Sequence, residues 1–188
     1  MSSAAPHVKV FSGRTGAEIR SFFAFDTSLT TGVRVASGDV NGDGLDDIVA
    51  STGEGTQGRV RAFDAATGGI LSDLTVFDGF TGGIYVSAGD FDGDGNADLV
   101  VSSGAGASRV AVYTAAGGQL GSFFADTANA SGVRVAARDL NGDGIADIIT
   151  GAGIGTASRI SAFSGAGFGQ IEDFYLFDSG VRTGVFVG

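Results

Sequence analysis

Residues 39–47 read Asp-Val-Asn-Gly-Asp-Gly-Leu-Asp-Asp, and their oxygen-bearing side chains have a spacing that could surround a cation. Counted from the first Asp, positions 1, 3, 5 and 9 are Asp39, Asn41, Asp43 and Asp47. The pattern returns as Asp90, Asp92, Asp94 and Asp98, and again as Asp139, Asn141, Asp143 and Asp147. Alternate residues point inward when a backbone wraps a centre. Gly at position 6 (Gly44, Gly95, Gly144) permits the sharp bend that turns the next carbonyl inward, and that carbonyl belongs to Leu45, Asn96 or Ile145. Each loop therefore offers five protein oxygens, more if the position-9 Asp binds through both of its own, with water for the rest. Calcium takes ~6–8 oxygens at ~2.3–2.6 Å in flexible geometry, whereas magnesium demands a stricter octahedron. Zinc prefers nitrogen or sulfur, and this chain has one His and no Cys. The expectation is about three Ca²⁺ ions.

The plainer reading of one such stretch is a solvated turn, because Asn-Gly and Asp-Gly are strong turn dipeptides. Recurrence argues against it: the first Asp falls at 39, 90 and 139, a repeat of about 50 residues, and the flanks repeat too. Before each loop stands a short alternating segment: GVRVA at 32–36, GIYVS at 83–87 and GVRVA at 132–136. After each comes an apolar run, a Gly-rich turn and a third segment: RVRAF at 59–63, RVAVY at 109–113 and RISAF at 159–163. A further turn leads to a fourth: ILSDLTVFD at 70–78, QLGSFFAD at 119–126 and IEDFYLFD at 171–178. Nothing sustains a helical period. Four short antiparallel strands per repeat predict an all-β protein made of β-propeller blades.

The units fall at 32–82, 83–131 and 132–183. Residues 8–25 match a third and fourth strand, and 184–188, GVFVG, match a first. The chain thus reads as one propeller segment, with three complete blades and partial blades at both ends. Its edges are open to self-association. Among the 15 Phe residues, Phe63, Phe77, Phe123, Phe124, Phe163 and Phe177 are expected between blades.

The loop pattern D-x-[ND]-G-D-G-x-x-D-[IL], following a short strand and repeated along the whole chain, resembles the FG-GAP repeat of the integrin α-subunit head and many bacterial surface proteins. The resemblance implies a β-propeller, often seven-bladed, with calcium loops between the first and second strands of its blades. It also implies a binding or adhesive module outside the cell or at its surface; some members are lectins and some are attached to enzymes. The chain departs from the family's namesake segments: its Gly-rich turns lack Pro, and its only Pro is Pro6. The loop is not an EF-hand, because position 12 is Ala50, Val101 or Thr150 where that motif needs Glu.

Composition narrows the partners. A formal net charge of −10 argues against nucleic acid and anionic membrane surfaces. The ligand positions hold ten Asp, and three Ca²⁺ carrying +6 would bring −10 to −4. Lack of Cys excludes thiol chemistry and disulfides. Residues 1–10 have neither a basic start nor an apolar run, so no export signal is legible there.

Catalysis is not expected. The only His is His7, near the N-terminus. Asp26, Asp78, Asp126 and Asp178 follow the fourth strands and read as turn carboxylates. Arg34, Arg61, Arg109, Arg134 and Arg159 alternate with apolar residues and read as solvated faces or inter-blade pairs, against a rim site for an anionic ligand. The expected partner is a protein or a glycan. The rival functions are a carbohydrate-binding propeller and an accessory domain of a secreted polysaccharide-degrading enzyme. The lectin reading is weakened by the absence of Trp and by only three Tyr, Tyr85, Tyr113 and Tyr175.

Overall fold

The computed structural model describes residues 5–127, 130–178 and 180–188. Each run of alternating or apolar residues is a strand, and each Gly-rich stretch is a turn. Strands β1 (His7–Phe11) and β2 (Glu18–Phe23) form a two-stranded sheet. The first four-stranded sheet is β3 (Val33–Gly38), β4 (Asp47–Thr52), β5 (Arg59–Phe63) and β6 (Ile70–Thr75). The second is β7 (Ile84–Gly89), β8 (Asp98–Ser103), β9 (Arg109–Tyr113) and β10 (Gln119–Phe124). The third is β11 (Val133–Arg138), β12 (Asp147–Ala152), β13 (Arg159–Phe163) and β14 (Gln170–Tyr175). Every pairing is antiparallel and joins strands consecutive in the chain. This is the up-and-down order of a propeller blade.

The sheets stack face to face, and one apolar core fills each interface. Between the first and second sheets lie Val49, Val60, Val76, Ile84, Leu99 and Val101, all fully buried. Between the second and third, Val100, Val110, Val112 and Ile148 do the same. Val8, Ala24, Phe25, Ala50 and Phe63 close the two-stranded sheet onto the first. Second strands are buried on both faces and read as continuous apolar runs: all six residues of β8 are buried. At roughly 1.5–3 kcal/mol per fully buried large aliphatic side chain, these interfaces dominate the stability of the stack.

First strands are innermost, with β7 lying against both β3 and β11. Backbones approach closely there. A Cβ on Gly38 would sit 2.9 Å from that of Ala88, and one on Gly89 would sit 2.8 Å from that of Ala146. The third sheet has Arg138 at the equivalent position.

One expectation about the stack is corrected. Phe63, Phe77 and Phe163 are buried and Phe123 packs against the second core, but Phe124 and Phe177 are each 57% exposed. Phe124 pairs with Arg109 across β10 and β9 and points away from that core, and Phe177 belongs to a sheet face that no later sheet covers. Of the two readings given for Arg134, the contact between sheets is the one the structure shows, and the side chain is buried. Its guanidinium lies 4.4 Å from the ring centroid of Phe186 and 5.4 Å from that of Tyr85, and it donates to Ala152 O at 2.9 Å. Residues 184–188 carry no strand ladder, but Val185 N donates to Ala152 O at 2.9 Å, and Phe186 lies over Arg134 as Tyr85 of the next first strand lies over Arg34.

Candidate metal centres

Each acidic loop joins a first strand to a second: 39–46 links β3 to β4, 90–97 links β7 to β8, and 139–146 links β11 to β12. All three therefore lie along one rim. Backbone bonds join them in series, Ala97 N donating to Asp39 O at 2.6 Å and Ala146 N to Asp90 O at 2.7 Å. The position-6 glycines hold φ of +86°, +89° and +87°, the left-handed region that a side chain disfavours.

The position-1 carboxylate organises the turn. Asp39 accepts the amides of Gly42 and Gly44 at 2.8 Å each; Asp90 accepts those of Gly93 at 2.6 Å and Gly95 at 2.9 Å; Asp139 accepts those of Gly142 at 2.6 Å and Gly144 at 3.0 Å. These bonds hold the Asp139 carboxyl below its ordinary value. Position 3 accepts the amide of position 5 in every loop: Asn41 from Asp43 at 2.9 Å, Asp92 from Asp94 at 3.1 Å, Asn141 from Asp143 at 2.8 Å. Position 5 in turn accepts the amide of position 7: Asp43 from Leu45 at 2.9 Å, Asp94 from Asn96 at 2.7 Å, Asp143 from Ile145 at 2.8 Å. The side chains at positions 1, 3 and 5 thus take up the amides of positions 4 to 7 between them.

Position 9 differs: Asp47 and Asp147 are fully buried and Asp98 nearly so, since each begins a central strand. Each accepts the amide of position 2, from Val40 at 3.0 Å, Phe91 at 3.0 Å and Leu140 at 2.9 Å. Asp47 also accepts Ala65 N at 2.9 Å and Asp147 accepts Gly165 N at 3.1 Å, tying the loop to the turn between third and fourth strands. This second bond is not legible in the loop pattern, because its partner lies 18 residues away in a turn of variable composition.

The middle loop has the tightest carboxylate cluster among the described residues. One oxygen each from Asp90, Asp92 and Asp98 lies within 4.8 Å of the others. Ligands on a sphere of ~2.3–2.6 Å radius are separated by up to about twice that radius, so this donor set suits calcium. Burial, together with the charges of Asp92, Asp94 and Asp90, pushes the Asp98 carboxyl up to about 6, against the opposing hydrogen bond from Phe91 N. A cation at this position would replace the proton.

The other singled-out residues lie elsewhere. His7 shares a 2.8 Å hydrogen bond with Ser21 on the exposed face of the two-stranded sheet. Asp26 accepts Ser28 N at 2.9 Å, and Asp126 meets Arg159 at 3.5 Å. Arg34 lies 4.0 Å over Tyr85 and donates to Ile84 O, and Arg61 donates to Ala24 O at 2.9 Å. These arginines bridge neighbouring sheets. At the rim opposite the acidic loops, the connection at 25–31 and the turn at 52–57 enclose a polar cleft of about 500 Å³.

Stacked four-stranded antiparallel sheets with acidic loops between first and second strands define a β-propeller segment. The FG-GAP-like repeat matches residues 39–101 and 90–150, and the FG-GAP repeat matches 131–171. These matches span more than half of the chain, and the protein belongs to the FG-GAP repeat family. No curated protein matches it. Among solved structures it is similar to the Dos1 propeller, with 13% identity and a TM-score of 0.58 over 93% of this chain and 43% of that one. It is also similar to the rhamnogalacturonan lyase YesW, with 14% identity and a TM-score of 0.57 over 96% and 38%. A third is a protein of unknown function from Bacteroides caccae, with 10% identity and a TM-score of 0.55 over 95% and 57%. At these identities the likeness is one of fold, and the chain spans well under two thirds of each of these structures.

Proposed function

We propose that the chain is a calcium-stabilised propeller module with a structural, adhesive or protein-binding role outside the cell or at its surface, and that it is not an enzyme. The observation that carries this is the loop itself. Three loops in register place oxygens at positions 1, 3, 5 and 9 around a bend fixed by a left-handed glycine. In each, Asp39, Asn41, Asp43 and Asp47 or their equivalents would hold one ion, joined by the carbonyl of Leu45, Asn96 or Ile145. Calcium supplies positive charge that turns carboxylate repulsion into cohesion. Because the unfolded chain has no preformed site, binding adds directly to folding stability. Calorimetric titration of chelator-stripped protein, with thermal melting in parallel, tests this. About three sites and a raised melting temperature are expected, and no binding by a folded chain overturns it.

A second reading is a glycan-binding propeller. The cleft lined by Phe25, Asp26, Thr30, Thr31, Gln57 and Arg59 combines an aromatic ring with polar groups suited to hydroxyls. The likeness to a rhamnogalacturonan lyase lends it context as an accessory domain. A glycan array run with and without chelator decides between the two, since binding that survives chelation favours the cleft.

A further inference from the structure

The three acidic loops touch one another, and every contact falls on residues that build the loops. Ala97, at position 8 of the middle loop, donates its amide to Asp39 O, at position 1 of the first loop, at 2.6 Å. Ala146, at position 8 of the third loop, donates to Asp90 O, at position 1 of the middle loop, at 2.7 Å. The side chain before each alanine makes a second contact at the same junction. Asn96 Oδ1 occupies the space that a Cβ on Gly42 would need, and Ile145 Cδ1 would stand 3.1 Å from a Cβ on Gly93. Gly42 and Gly93 are the position-4 residues whose amides are held by the position-1 carboxylates Asp39 and Asp90. A side chain at position 4 would therefore disturb the neighbouring loop as well as its own.

The peptide group between positions 7 and 8 serves two loops at once. Its N–H, that of Ala97 or Ala146, is bonded to the preceding loop. Its carbonyl, that of Asn96 or Ile145, is the position-7 oxygen of its own loop. Both peptides are trans, and a trans peptide is planar with its C=O and N–H directed oppositely. Fixing one end of the group therefore fixes the other. Positive charge at the carbonyl also polarises the group and strengthens its N–H as a donor.

We infer that the loops bind cations as a coupled row, in which an ion in one loop raises the affinity of the loop before it and, by linkage, the reverse. The inference rests on the reading of these loops as calcium sites. The middle loop is tied on both sides, through Asn96 and Ala97 to the first loop and through Asp90 and Gly93 to the third. An ion in the third loop holds the peptide of Ile145 and Ala146, and with it the backbone at Asp90. The empty middle loop then has less freedom left to lose when its own ion binds.

Repulsion between ions in neighbouring loops opposes this coupling. The side chains at positions 3 and 5 are exposed in all three loops, so dissolved salt reaches the rim. In about 0.5 M salt the screening length falls to about 4 Å, well below the ~10 Å between packed sheets. The contribution of the peptide groups does not depend on ionic strength in this way, and it remains when the repulsion is screened out.

Calorimetric titration with calcium in about 0.5 M potassium chloride tests it. Asp43→Ala leaves the middle and third loops active. Adding Asp143→Ala leaves the middle loop alone, and adding Asp94→Ala in its place leaves the third alone. The overall constant of the two-loop protein should exceed the product of the two single-loop constants about 5- to 10-fold. A constant equal to that product, or below it, overturns the coupling and leaves the calcium reading intact. No binding by any of these proteins in the folded state overturns the calcium reading, and the coupling with it. Because the single-loop variants each lose two carboxylates, a second test uses the unaltered chain. Heteronuclear NMR follows the amides of Gly44, Gly95 and Gly144 separately through the same titration. Coupling makes the Gly95 curve steeper than a one-site isotherm, which independent loops cannot do. Curves no steeper than one site in all three loops overturn the inference.

Discussion

The guanidinium of Arg109 lies 4.8 Å from the ring centroid of Phe77, and one repeat later Arg159 meets Asp126 at 3.5 Å in the place of that ring. Phe77 and Asp126 each stand six residues before the glycine that precedes the next first strand, Gly83 or Gly132. Both arginines begin third strands. The same clasp between neighbouring sheets is thus made once by a cation over a ring and once by an ion pair.

Asp126→Ala should therefore loosen the contact between the second and third sheets. Both partners are partly exposed, so the loss is small, about 0.5–1 kcal/mol. Asp126→Phe should recover most of it by restoring the cation–ring contact. Urea denaturation of the three proteins checks this. Equal stability of the Ala and Phe variants would show that the ring does not substitute for the carboxylate.

Position 9 and position 5 of a loop should separate by mutation. Asp47 is buried and accepts two backbone amides, so Asp47→Ala leaves both without partners. At about 1–3 kcal/mol for an unsatisfied buried group, the variant should lose stability with or without calcium. Asp43 is exposed, and Asp43→Ala should lower the melting temperature chiefly in calcium. Melting curves of both variants in calcium and in chelator give the comparison, and an equal loss for Asp43→Ala in the two conditions would contradict its role as a ligand.

The repeat, the strand order and the loops were legible in the sequence because each depends on local spacing: alternation for the strands, Asp and Gly at fixed offsets for the loops. What escaped depends on neighbours in space. Arg134 alternates with Val133 and Val135, a spacing that fits a solvated face as well as a contact between sheets; only the crowding of the innermost strands, which buries it between Tyr85 and Phe186, decides which. Phe177 matches Phe77 in sequence, but its burial requires a following sheet. The second bond of Asp47, to Ala65, joins two turns that only sheet formation brings together.

The pH dependence should centre on Asp98. Its carboxyl is raised to about 6 from an ordinary value near 3.8. Between those values the ion-free folded state holds a proton that the unfolded chain has released, so stability from this group is present below about pH 4 and is lost as pH rises through about 6. Stripped protein should accordingly gain stability relative to Asp98→Asn as pH falls from 7.5 to 5. Cation binding at the middle loop should weaken over the same interval, because proton and cation compete for one carboxylate. Melting of both proteins across that range checks the first part and calorimetry at the two ends checks the second. A difference between wild type and Asp98→Asn that does not change with pH would contradict the assignment.

Gly89→Val tests the close approach of the innermost strands. The added Cβ would stand 2.8 Å from the Cβ of Ala146 and 3.0 Å from that of Ala137, inside any normal contact. The second and third sheets would have to separate locally, at a cost of about 1–3 kcal/mol for overpacking. Arg138→Gly, at the same place on the third sheet, meets no later first strand and should change stability by less than about 0.5 kcal/mol. Chemical denaturation of both variants distinguishes a requirement of the interface from a requirement of the strand. If Arg138→Gly were as damaging as Gly89→Val, the position would matter to the strand itself, and crowding between sheets would not explain the glycines.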